Sequence, residues 1–157
     1  MTRIVTDIVI DRPVEVVFDY VTTPANWPRW HPSSVGVDTA PGKSLDVGEK
    51  VREAIKVGWQ RDLVAWTVLE RKRPRRWVIE GRGETGGTAT LCYELTADGG
   101  RTRFRRDLNY RMPNALLGFI DRLLVRHLMR ATSQRALARL KQVLEASSKT
   151  NPQMNTD

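Results

Sequence analysis

Apolar and polar positions alternate at the start of the chain, Ile4, Thr6, Ile8 and Ile10 on one side and Val5, Asp7, Val9 and Asp11 on the other. A period of two predicts a strand with one face more polar than the other. Pro13 ends it. Val14, Val17, Phe18 and Val21 then recur at helical spacing, which predicts a short helix over residues 13–21. Thr23-Pro24 opens a second short helix that Pro28 stops.

From Ser33 to Met112 the period returns to two, broken by turn residues. Strands are expected around Val35–Val37, Val47–Val57, Gln60–Arg71, Arg76–Gly83, Thr88–Thr96 and Arg101–Met112, with Trp59, Trp66 and Trp77 all inside the sheet. Pro41-Gly42, Gly58, Arg73-Pro74, Gly86-Gly87 and Asp98-Gly99-Gly100 supply the turns. Such short connections make neighbouring strands antiparallel, and an antiparallel sheet can cover a core with one face and leave the other to water.

After Pro113 one long helix is expected to Ala146, since no proline or glycine beyond Gly118 interrupts it. Leu116, Leu117, Ile120, Leu123, Leu124, Leu128 and Ala131 form one stripe, with His127 inside it, whereas Ala136, Leu137, Leu140, Val143 and Leu144 lie nearly opposite. The second set reads as ordinary core; the first, with Phe119, reads as a wall or lid over a cavity. The polar, aperiodic residues 147–157 read as a disordered tail.

Length and composition narrow this further. A chain of 157 residues suits one domain, here residues 1–146, large enough to bury roughly 68–70% of its unfolded surface. No apolar run approaches the ~20 residues of a membrane span, and acidic residues interrupt the N-terminal stretch where a signal peptide carries its apolar core. Cys92 is the single cysteine, which excludes an internal disulfide and fits a reducing compartment; the expected location is cytoplasmic. The formal charge of +8 comes from twenty Arg and six Lys against 18 acidic residues, and reads either as compositional bias or as a surface for an acidic partner.

The order of one strand, two short helices, a six-strand meander and a long helix resembles the helix-grip fold of the START-like SRPBCC superfamily. The resemblance spans residues 2–146 and is carried by IDRPVEVVFDYVTTPANWPRWHP at 10–32, VLERKRPRRWVIEG at 68–81 and LARLKQVLE at 137–145. Within the superfamily the chain looks most like the polyketide cyclase/dehydrase and lipid-transport group. That resemblance implies an α+β fold, a curved antiparallel sheet of about seven strands around the C-terminal helix with an apolar cavity between them. It also implies Trp66, Phe104, Tyr110, Leu117, Ile120 and Leu124 as lining. The expected function is binding or carriage of a hydrophobic small molecule such as a lipid, quinone or polyketide. An enzyme of the cyclase/dehydrase kind is the alternative, and a basic-surface interaction module the third reading. The group shares no catalytic residue that can be carried over.

The chemistry must therefore come from the residues. In the last strand Phe104, Arg106, Leu108 and Tyr110 alternate with Arg103, Arg105, Asp107, Asn109 and Arg111, so the apolar set takes Arg106 inward. A buried unpaired charge costs several kcal/mol, roughly, and Glu53, on an inward face with Val51, Ile55 and Val57, is the expected partner. The pair is either a structural ion pair or a polar anchor at one end of the pocket. A one-residue slip would instead bring Arg105 inside. Arg106, Glu53, His31 and Tyr110 are the catalytic candidates of the enzyme reading, while His31 and His127 read equally as hydrogen-bonded or exposed side chains.

Two histidines and one cysteine give no metal-ligand spacing, and no cofactor is expected. Gly81, Gly83 and Gly86 spell a dinucleotide fingerprint, but a strand and not a helix follows them, so they belong to a hairpin. Cys92 falls on the outward face of its strand. The cluster Arg71-Lys72-Arg73-Pro74-Arg75-Arg76 reads as a solvated turn, which makes nucleic acid an unlikely partner. Arg122, Arg126, Arg130, Arg135 and Arg139 flank the helix stripes and suit transient contact with an anionic membrane. Monomer and homodimer are both open.

Overall fold

The computed structural model describes residues 1–38, 42–112, 124 and 126–149. Its elements are β1 (Thr2–Ile10), α1 (Val14–Val21), a 3-10 turn (Pro24–Asn26), α2 (Trp27–Trp30), β2 (Ser34–Asp38), β3 (Lys50–Val57), β4 (Gln60–Lys72), β5 (Arg76–Gly83), β6 (Thr88–Asp98), β7 (Arg101–Arg111) and α3 (Arg126–Lys149). The strands form one antiparallel sheet in the order β1-β7-β6-β5-β4-β3-β2. Six strands make a meander, and β1 closes against the last of them. The sheet curls, and α3 lies against β1 inside the curl.

The alternation in β7 turns Thr102, Phe104, Arg106, Leu108 and Tyr110 inward. Each side chain buried on this face loses contact with water, and burial of a large apolar one contributes roughly 1.5–3 kcal/mol. At the closed end Trp77 stacks on Tyr93 with centroids 5.5 Å apart, and Tyr93 meets Phe104 edge-on at 5.1 Å. Val14, Val17, Phe18 and Val21 of α1 seal this end. Helix α3 buries Ser133, Ala136, Leu137, Leu140 and Leu144, with Met129 half-buried, a single stripe at spacings of three and four.

Several expectations change. Leu124 and Leu128 face solvent, and so does His127, so the described start of the helix does not carry the apolar stripe inward. The true stripe is continuous through Met129 and Ser133; the small serine hid it. The helix also runs on to Lys149 past Ala146, with the Ser147 hydroxyl donating to the Val143 carbonyl at 2.9 Å. Pro113 to Leu123, including Leu117, Phe119 and Ile120, and the tail from 150 lie outside the described residues. Trp59 is not in the sheet but at the tip of the β3–β4 hairpin, 84% exposed. Its neighbour Gly58 supplies the positive φ, 61°, that the turn needs. Val47 is exposed ahead of β3, which starts at Lys50.

Candidate functional site

Between the curled sheet and α3 lies a cavity of about 400 Å³. Its size follows from what the strands carry at matched positions. Trp66 on β4, Gly81 on β5, Ala89 on β6 and Tyr110 on β7 form one row across the sheet. The two small residues leave a hollow between two large rings. A methyl group at Gly81 would sit 2.5 Å from the Trp66 ring, so the ring lies over the glycine. The apparent dinucleotide fingerprint is thus hairpin structure: Gly81 admits an indole, and a side chain at Gly83 would meet the Asp62 carboxylate.

Five of the walls are apolar, drawn from Ile55, Val64, Ile79, Leu91 and Leu108, and Met129 of α3 contributes another surface. Two sets of polar residues line the cavity: Gln60, Arg61, Asp62, Thr85, Thr88 and Arg111 near the hairpin tips, and a more deeply buried set around Glu53 and Arg106. Glu53 is 7% exposed and accepts the indole N–H of Trp66 at 2.8 Å. Burial pushes its carboxyl group up, opposed by the Ser34 hydroxyl, Trp66 and the charge of Arg106. Arg106, 5% exposed, donates from Nη1 to the Ser133 hydroxyl at 3.1 Å and lies beside the Tyr93 hydroxyl. Burial lifts Tyr93 to about 12 despite that cation. His31 is partly accessible as a residue, but its Nε2 is sealed from solvent; burial, and then Arg106, hold it down to about 3, so it is neutral near pH 7.

The expected Glu53–Arg106 ion pair does not form. No Arg106 nitrogen comes within 4.0 Å of a Glu53 oxygen; the two charges act on each other only at longer range. The reason is competition: Trp66 and Ser133 stand closer to each. Trp66, Glu53, Arg106, Tyr110 and His31 all line the cavity. Phe104 does not; it is fully buried beneath Tyr93, in the core. Leu124 is 62% exposed and is no part of the wall. Trp27, Trp30, Tyr93 and Met129 line the cavity and were not anticipated as lining, although Tyr93 stands on the inward set of β6.

Outside the cavity the basic cluster is largely paired: Arg73 binds Asp19 through two bonds of 2.7 Å, Arg76 bridges Glu70 and Glu94, and Arg71 lies over the Phe18 ring. Among the described residues no group of three or more His, Cys, Asp or Glu could hold a metal ion, and no helix is long and apolar enough to cross a membrane.

A curled seven-strand sheet gripping a C-terminal helix, with short helices after the first strand, is the START-like helix-grip fold of the SRPBCC superfamily. The chain belongs to the family described as polyketide cyclase/dehydrase and lipid transport, whose model matches residues 1–145. This is a ligand-binding fold. A START superfamily protein from Mycobacterium smegmatis superposes with a TM-score of 0.71 at 14% identity, over 92% of this chain and 97% of that one. The di-domain ARO/CYC protein BexL of the BE-7585A biosynthetic pathway matches with a TM-score of 0.66 at 23% identity, over 97% of this chain and 48% of BexL. Penitrem biosynthesis cluster 1 protein I from Penicillium ochrochloron is 43% identical over 56 residues, 34% of this chain. The match spans 37% of that fungal protein.

Proposed function

We propose that this protein binds and carries a hydrophobic small molecule, lipid-, quinone- or polyketide-like, in the cavity between sheet and α3. The observation that supports it is the cavity itself, about 400 Å³, with apolar walls and a few buried polar groups, Glu53, Arg106 and His31, among them. That combination fixes the orientation of an oily guest while burying most of it. Native mass spectrometry of freshly purified protein tests it. A co-purifying lipid, quinone or aromatic mass is expected, and a protein that emerges empty and takes up none of them opposes it.

Exchange of such a cargo calls for an apolar mouth. We assign it to the β3–β4 hairpin end, where Val57 and Gln60 line the cavity and the exposed Trp59 follows Gly58, at which a side chain would begin 3.7 Å from exposed Leu128. Exposed Arg126 and Arg130 stand on the same turns of α3 and suit an anionic membrane surface.

A second reading, a cyclase or dehydrase, is favoured by the state of the polar groups. A buried carboxyl with a raised pKa and a neutral histidine can move protons, and a buried guanidinium can polarise a carbonyl. Turnover lost in a folded Arg106→Leu variant is the outcome this reading expects.

A further inference from the structure

Buried polar atoms in proteins are nearly always hydrogen-bonded, so a cluster of unpartnered ones calls for explanation. Three such atoms belong to residues that line the cavity: Arg106 Nε, His31 Nε2 and Trp30 Nε1. Arg106 and His31 line the cavity, and His31 feels the Arg106 charge. Arg106 commits Nη1 to Ser133 and leaves its Nε unpartnered in the wall of the cavity. A buried guanidinium normally carries a carboxylate on such an edge, because the planar fork matches two oxygens. Glu53, the buried acidic group on which its charge acts, is held instead by Trp66.

Resting on the carrier reading above, we propose that the deeply buried polar part of the cavity is a receptor for a single carboxylate borne on an apolar body. Turned toward the cavity, the Nε edge of Arg106 takes one oxygen, and His31, in its Nε2–H tautomer, donates to the other. A dianion such as a phosphate ester is disfavoured, because one guanidinium cannot compensate two buried negative charges with Glu53 nearby.

The arrangement has a proton consequence. An arriving anion raises the pKa of the Glu53 carboxyl further, so binding is coupled to proton uptake wherever that carboxyl is still ionised. Arg106 on β7 and Tyr93 on β6, neutral to about 12, are the ionisable groups acting on Glu53; Trp66 on β4 and Ser34 on β2 are its neutral donors, and His31 is neutral above about 3. Ser133 of α3 reaches the site only through Arg106. Binding therefore tightens as pH falls, as long as the ligand's own carboxyl stays ionised.

The test uses two matched pairs, decanoate with decan-1-ol and 2-naphthoate with 2-naphthol. It follows quenching of the cavity tryptophans Trp27, Trp30 and Trp66 and, by calorimetry, proton uptake in two buffers. At about pH 6 the wild type is expected to favour the acid of at least one pair by roughly tenfold, a charge-assisted bidentate bond against a neutral one. Arg106→Leu should erase that preference while keeping alcohol binding, and Glu53→Gln should keep the preference and abolish proton uptake. Equal binding of acid and alcohol overturns the carboxylate receptor and leaves the carrier reading standing. Binding of no probe overturns both.

Discussion

The Trp66 indole is locked at both ends: its N–H is bonded to Glu53 at 2.8 Å, and its six-membered ring fills the space over Gly81. One aromatic side chain thus fixes both the cavity's width and the orientation of its buried carboxyl group. Replacing Gly81 by Ala puts a methyl group 2.5 Å from that ring. Overpacking of this kind costs about 1–3 kcal/mol. Urea denaturation of Gly81→Ala should show a loss in that range together with a shift in Trp66 emission; an unchanged midpoint and spectrum would mean the ring is not held there.

Arg106 and Glu53 are both buried without touching, so they should respond unequally to deletion. Leucine at Arg106 removes a poorly compensated charge and should fold with stability near wild type. Leucine at Glu53 leaves the buried Trp66 N–H without its acceptor, a loss of roughly 1–3 kcal/mol. Chemical denaturation of both, and of the double variant, gives the comparison; equal losses from the two single changes would contradict the separation seen here.

His31 supplies a pH signature. Its folded pKa is about 3 against an ordinary 6.5, so between those values the unfolded chain binds a proton that the folded chain refuses. Its contribution is complete above about pH 6.5 and is lost as the pH falls toward 3. Glu53, with a raised pKa, pulls the opposite way below its folded value, so the diagnostic is a difference between variants. His31→Phe should be less sensitive than wild type to acid over this window, measured by thermal melts at stepped pH. Parallel curves would place the imidazole in water.

Trp59 is 84% exposed at a hairpin tip beside Leu128, an unusual place for an indole unless it meets something apolar. Trp59→Ser should leave the melting temperature within about 2 °C, as surface changes do, and lower co-sedimentation with acidic vesicles several-fold at low salt. Equal sedimentation of the two proteins, or none by either, would remove the membrane-facing mouth.

The sheet was readable because its alternation is clean where one face is buried. Ile4 to Ile10 and Phe104 to Tyr110 carry the period of two that fixed strand, face and register, including Arg106 on the inner side. Short turns with glycine or proline gave the meander order. The helix stripe was misread because the buried face continues through Met129 and Ser133, a flexible residue and a polar one, while Leu124 and Leu128 mimic a core pattern on the solvent side. The site was half legible. Alternation can say that Glu53 and Arg106 face inward, but their failure to pair depends on Trp66 and Ser133, contributed by β4 and α3. Gly81 could be assigned to a hairpin, whereas its role under the Trp66 ring needs the register of β4 on β5.

The central claim is an internal chamber that admits an oily guest. It is tested most directly by titrating the neutral fluorophore N-phenyl-1-naphthylamine into wild type and into Ala89→Trp, which fills the hollow between Trp66 and Tyr110. The account predicts saturable one-to-one binding by the wild type and its loss in a folded Ala89→Trp; equal binding by both, or none by the wild type, would contradict it.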